Sequence, residues 1–269
     1  MFSQPFACEH RVWPPPNRRW WIAMTWYDLA FLHWPVAAEA LRPHIPPGLT
    51  VDTRDGTAWL GLVPFGMIVR PRWLPAVPWI SEALEFNVRT YVTRDGKPGV
   101  WFFSLDADHW LAVRGARWAY YLPYFDARMS LIAGQDGWIE YRTARTHRGA
   151  PPAAFHGRYR PGGPVFSPEH GTLEHWLTER HCLYTASRSG RLYRGEIHHP
   201  PWPLQEAEVE IAQTTMSDPL GLPLRSGPAR VHYARRLDTV AWNLDRIGKT
   251  PVACSATLSP EGATDCDDA

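Results

Sequence analysis

Three Asp-Gly pairs, Asp55-Gly56, Asp95-Gly96 and Asp136-Gly137, divide the chain at spacings of 40 and then 41 residues. Asp-Gly accepts the positive φ angles of a tight hairpin turn at low cost. Strand-type residues flank each pair, over 58–63, 88–92, 100–105 and 138–141, so the pairs predict β-hairpins. The even spacing invites a repeat reading. The flanking sequences are unlike one another and carry no Gly-His…Trp-Asp signature, which excludes a propeller.

The rest of the chain agrees with a mainly β design. Residues 1–19, with Pro14, Pro15 and Pro16, read as an irregular arm. From Trp20 the chain is strand-like as far as Trp34 and is expected to break at Pro35. A short helix is expected over 37–44, closed by Pro46-Pro47-Gly48, and another over 173–180 behind the N-cap Thr172. Helical spacing of Trp110, Val113, Arg117 and Tyr121 suggests a further helix over 108–122, stopped by Pro123. Residues 183–186 and 191–197 pair about Ser189-Gly190. Ala207, Val209 and Ile211 alternate with Glu206, Glu208 and Glu210, as in a strand with one wet face. Residues 70–80, crowded with Pro and Trp, form a long loop, and 255–269 lack apolar periodicity and read as a disordered tail. Many strands with few helices predict one mainly β (α+β) domain over 20–254, a barrel or folded antiparallel sheets.

Composition narrows the function. A net charge of +1 on 269 residues makes no field for a polyanion, so nucleic acid is not an expected partner. No apolar run approaches the roughly 18 to 20 residues of a membrane helix, and Asp28 interrupts the longest candidate, 20–31. Glu9, His10, Arg11, Arg18 and Arg19 replace a signal core, which makes the expected compartment cytoplasmic. Cys8, Cys182, Cys254 and Cys266 are scattered, favouring reduced thiols over a disulfide or zinc framework. Among twelve histidines, His170 and His175 are five apart and His198 and His199 adjacent. Neither spacing is a metal signature, and neighbours on a strand point to opposite faces, so no metal is expected.

The stretch 85–91 carries the most chemistry. In a strand, Glu85, Asn87, Arg89 and Tyr91 share one face, with Phe86 and Val88 on the other. Acid, amide, guanidinium and phenol in one row can bind and protonate a small polar ligand, or can form a wet face with cross-strand ion pairs. On the following strand Phe102, Ser104 and Asp106 are expected on one face. Asp106, near Arg114 and Arg117, suits a salt bridge or an anion site. Ser104, Ser130 and Ser189 lack a nucleophile elbow, and Cys182, although next to His181, has no activating context. No nucleotide-cradling glycine motif is present.

Linked motifs in chain order resemble the YqjF-like uncharacterised bacterial family. They include Trp34-Pro35, Pro46-Pro47-Gly48-Leu49, Trp59-Leu60-Gly61-Leu62-Val63-Pro64-Phe65, Asn87-Val88-Arg89-Thr90-Tyr91, Trp101-Phe102-Phe103-Ser104-Leu105-Asp106 and Pro201-Trp202-Pro203-Leu204. That family is similar in turn to the acetoacetate decarboxylase-like superfamily, which implies a β-barrel-based fold enclosing a small-molecule pocket. The resemblance places Glu85 at the superfamily's strand glutamate. It sets Leu122-Pro123-Tyr124-Phe125 against the run that carries the Schiff-base lysine, so Tyr124 stands in the lysine's place.

That substitution gives the basic residues their meaning. Of 28, only Lys97 and Lys249 are lysines. Codon bias accounts for such a skew on a surface, but it does not remove a residue that chemistry requires. A phenol cannot condense with a ketone, and Schiff-base decarboxylation is disfavoured. The expected protein binds a small organic acid or carbonyl compound, with lyase- or hydrolase-like acid/base chemistry if it is an enzyme. Glu85 and Tyr124 would be catalytic, and Arg89, Asn87, Tyr91, Ser104, Arg117 and Phe102 would bind the ligand. No cofactor and no metal are expected, and a homo-oligomer is left open. The alternatives are a non-catalytic sensing module gripping an apolar ligand with the 70–80 loop, and a docking protein with exposed tryptophans.

Overall fold

The structure is a computed structural model describing residues 7–73, 81–109 and 120–249. Its strands are β1 (Ile22–Val36), β2 (Thr50–Val51), β3 (Ala58–Pro71), β4 (Glu82–Arg94), β5 (Lys97–Ala107), β6 (Tyr124–Ala133) and β7 (Ile139–Arg145). They continue with β8 (Ala154–Phe166), β9 (Cys182–Ala186), β10 (Arg191–His198), β11 (Leu204–Thr214), β12 (Arg230–Ala241) and β13 (Asp245–Lys249). Two short α-helices, α1 (Ala38–Leu41) and α2 (Leu173–Thr178), complete the described framework. The mainly β expectation holds.

Local chemistry accounts for the turns. Asp55 and Gly56 (φ 52° and 77°) and Asp95 and Gly96 (φ 51° and 72°) both occupy the left-handed region, as a two-residue hairpin turn requires. At the third pair only Gly137 does so, at φ 79°, which fits a longer connection between β6 and β7. Thr172 accepts the backbone N–H of His175 at 3.2 Å and caps α2.

Pro35 does not break β1, which corrects the expectation. Pairing with β12 ends at His33, while Pro35 stays in register with Trp59 of β3. The missing N–H falls where one side of the strand is already unpaired. Asp28, at φ 48°, bends β1 where its register with β3 slips between Tyr27 and Leu32. Its carbonyl and carboxylate accept the hydroxyls of Tyr159 and Tyr233, each at 2.6 Å.

All thirteen strands belong to one sheet, and its pairings close on themselves in two circuits. One runs β5-β6-β7-β8-β11-β12-β1-β3-β4 and back to β5; the other runs β5-β9-β10-β12-β1-β3-β4 and back. Strands β12, β1, β3, β4 and β5 are a shared wall, and the middle of β1, β3 and β4 is buried on both faces. One face presents Leu32, Leu62, Phe86 and Val88 to a core with Tyr141 and Phe155. The opposite face carries Phe31, Val63 and Phe65, packed with Trp202. A strand buried on both sides must put any polar alternation inside the protein.

The expected helix over 108–122 and the 70–80 loop fall largely on residues 110–119 and 74–80, outside the described residues, as does the tail. No helix of the described residues is long and apolar enough to cross a membrane.

Candidate functional site

The second face of the shared wall holds the polar row. Glu85, Asn87 and Tyr91 are buried and Arg89 half-buried, so the wet-face reading of 85–91 is overturned. Register builds the site sideways. Phe65, Glu85 and Ala107 stand opposite one another across β3, β4 and β5, and Val63, Asn87, Leu105 and Tyr124 form the next row. Parallel pairing of β5 with β6 thereby sets Tyr124 beside Glu85, and the phenol donates to Oε2 of the carboxylate at 2.8 Å.

Burial dominates the electrostatics of this pair. The Glu85 carboxyl is 3% exposed, and desolvation lifts its pKa to about 7 against the opposing hydrogen bonds from Tyr124 and Asn87. Burial together with the Glu85 charge holds the Tyr124 hydroxyl well above its usual range. A carboxyl poised near neutrality and bonded to a phenol can accept or return a proton at pH 7. Two polar atoms nearby have no hydrogen-bond partner among the described residues: Oδ1 of Asn87 and the hydroxyl of Tyr120. Buried atoms of this kind are where a polar ligand gains most.

Arg89 and Tyr91 form a separate patch. The Tyr91 hydroxyl is 2.6 Å from His33 Nε2 and accepts from Arg89 at 3.4 Å, and the Arg89 guanidinium lies over the rings of Phe31 and Tyr91. Gly61 makes room for this: a Cβ there would meet both His33 and Arg89 at 3.3 Å. Four residues of strand separate Arg89 from Glu85, roughly 13 Å of backbone. Among the described residues Arg89 has no carboxylate within ion-pair distance. The neighbouring Arg180 does, bonding Asp52 at 2.6 Å.

Ser104 and Asp106 are not on this face. Val88 stands opposite Ser104 but Arg89 opposite Phe102, so Phe103 is an extra residue in β5. This bulge turns Ser104 and Asp106 to the first face and leaves Phe102 on the second, correcting the expectation that the three align. Asp106 accepts two bonds from Arg145, each at 2.7 Å, in a buried ion pair. Among the described residues its ion-pair partner is Arg145; the expected Arg114 and Arg117 lie outside them.

A cleft of about 370 Å³ adjoins the buried pair. Phe102 and Leu122 line it and also pack in one cluster with Tyr124, while Trp101, Tyr121 and Tyr184 form its aromatic sides. Neither Glu85 nor Tyr124 lines it. Tyr121 is held at φ 52°, a strained setting for a residue with a Cβ, where its carbonyl accepts from Thr185 at 2.7 Å and its ring meets Tyr193. As site residues, His33, Tyr120 and Tyr121 escaped the sequence reading, which places Tyr121 only in a helix. His33 sits in a plain apolar strand, and only the register across β1, β3 and β4 brings it to Arg89.

Residues 23–238 match the DUF2071 family of uncharacterised conserved proteins. The chain belongs to that family. It is 45% identical over 230 residues to the uncharacterised protein YqjF of Bacillus subtilis strain 168, covering 85% of this chain and 93% of YqjF. Solved structures of acetoacetate decarboxylase-like proteins share the DUF2071 chain's fold. The enduracididine biosynthesis enzyme MppR complexed with pyruvate has a TM-score of 0.59 at 12% identity, over 90% of this chain and 94% of that one. An acetoacetate decarboxylase-like enzyme from Sphingomonas wittichii RW1 gives 0.58 at 14%, over 89% and 98%. Acetoacetate decarboxylase from Legionella pneumophila gives 0.54 at 11%, over 89% and 94%.

Proposed function

We propose that this DUF2071 protein binds a small organic acid or carbonyl compound and transfers a proton to or from it, without a Schiff base. The observation that carries the reading is the buried Glu85–Tyr124 bond, with a carboxyl pKa of about 7. Glu85 serves as the acid/base. Tyr124 holds the carboxyl in place and donates to the ligand oxygen when Glu85 turns away. Asn87 and Tyr120 offer the polar atoms that have no partner among the described residues. Arg89 takes the anionic end, and its roughly 13 Å of backbone from Glu85 favours a ligand longer than a three-carbon acid.

The lysines support the exclusion of covalent chemistry. Lys97 lies against Trp13 and pairs with Arg94 at the opposite end of β4 and β5 from Glu85, roughly 30 Å along the strand. Lys249 belongs to β13, opposite Arg191. The likeness to MppR, solved with pyruvate, makes 2-oxo acids the first class to try.

The cleft favours a second reading. Among the described residues its lining carries no Asp, Glu, Lys or Arg, which suits an apolar ligand held by a non-catalytic binding module. Incubation with a panel of 2-oxo and other organic acids, followed by NMR of the products and by thermal melting, separates the two. Turnover that E85Q abolishes supports the acid/base reading. A melting shift with unchanged ligand, undiminished in E85Q, supports the module.

A further inference from the structure

We propose a metal site, independent of the Glu85 pair, in which His10, His181 and His198 bind a zinc-like transition-metal ion with Cys8 as fourth ligand. One ligand atom from each of the three imidazoles lies within 4.8 Å of the other two. The Cys8 sulfur is 3.6 Å from Nε2 of His198, across 190 residues of sequence. Three imidazoles and a thiolate are the donor set of a closed, tetrahedral zinc site.

Several features point to a ligand here beyond simple packing. His181 is 2% exposed, yet neither of its ring nitrogens has a hydrogen-bond partner among the described residues. A buried imidazole left in that state is costly, and a metal bond would relieve it. The Glu179 carboxyl lies 3.7 Å from Nε2 of His181, beyond hydrogen-bond distance.

The neighbours also select the nitrogens. Nε2 of His10 is 2.8 Å from the carbonyl of His199, and donating to it leaves Nδ1 as the ligand atom. His198 turns Nε2 to Cys8, and its Nδ1 faces Arg11 at 3.4 Å. Ligation through Nε2 puts the proton on Nδ1 and gives up the 3.4 Å bond that Nδ1 accepts from Arg11, while Arg11 keeps its shorter bonds, to Ile197 O at 2.6 Å and to Glu196 at 3.0 Å. Metal–nitrogen bonds near 2.0 Å bring ligand nitrogens to about 3.3 Å apart, a closure the half-buried arm can make. Such an ion would staple the arm to β10 and to the start of β9.

The test uses full-length protein freed of metal by a chelator and titrated with Co²⁺. The expected result is tetrahedral ligand-field absorbance saturating at one equivalent, with a thiolate charge-transfer band that C8S removes. H10A, altered on the irregular arm, should keep the wild-type circular dichroism and bind at least about 100-fold more weakly, more than loss of a second-shell partner costs. In wild type, Zn²⁺ should raise the melting temperature, and less so in H10A. Absence of saturable absorbance, or an unchanged titration in H10A, overturns the site. Saturation without the charge-transfer band overturns the sulfur ligand.

Discussion

Replacing Glu85 by Gln isolates the cost of ionising a carboxyl in this interior. Gln keeps the volume and can still accept from Tyr124, but it does not titrate. In the folded wild type the carboxyl is raised from 4.5 to about 7 by burial. Its contribution is therefore fully present below about pH 4.5, where both states are protonated, and is lost as pH rises to about 7. Each pH unit is worth about 1.4 kcal/mol, and over about 2.5 units the loss is about 3 kcal/mol. Urea unfolding of both proteins at half-unit steps across this range gives the difference in stability, wild type minus E85Q. Titrating groups that do not interact with Glu85 are common to both and cancel. The difference should fall by about 3 kcal/mol and then stay level. A difference constant within about 0.5 kcal/mol refutes the reasoning, since that is the ordinary error of additivity. A difference that rises with pH refutes it too, because the bond from Tyr124 would then outweigh desolvation.

Y124F removes the hydrogen bond that most strongly opposes the Glu85 shift, so the falling phase should extend beyond pH 7; the same urea series checks it, and an unchanged profile counts against the pair. R145M leaves Asp106 buried and unpaired and should cost about 3 to 5 kcal/mol by urea unfolding; a loss below about 1 kcal/mol would mean the ion pair is not desolvated. R89M should abolish the melting shift produced by carboxylate ligands while E85Q retains it, and equal shifts in R89M and wild type would remove Arg89 from the anion site.

Where a property depends on neighbours in sequence, it was legible. Asp55-Gly56 and Asp95-Gly96 form two-residue turns because the backbone itself must adopt positive φ. Thr172 caps α2 because its hydroxyl reaches an N–H three residues on. Glu85, Asn87, Arg89 and Tyr91 share a face because β4 keeps its alternation unbroken. Phe102, Ser104 and Asp106 do not, because one extra residue in β5 reverses every side chain beyond it, and nothing in the local sequence marks Phe103 as that residue. Pro35 misled for a similar reason: whether a strand tolerates proline depends on what pairs with it.

The sequence by itself determined the mainly β class, the two-lysine composition that argues against a Schiff base, and the polar row on β4. These follow from backbone geometry and from the chemistry of single side chains. Only the tertiary structure decided that the row faces inward, that Tyr124 touches Glu85, that Arg145 holds Asp106, and that His10 meets His181 and His198. Each of those contacts joins segments far apart in the chain. Their closeness comes from strand register and from two circuits sharing one wall, which local residue patterns do not encode. The raised pKa of Glu85 belongs with them, because it arises from burial.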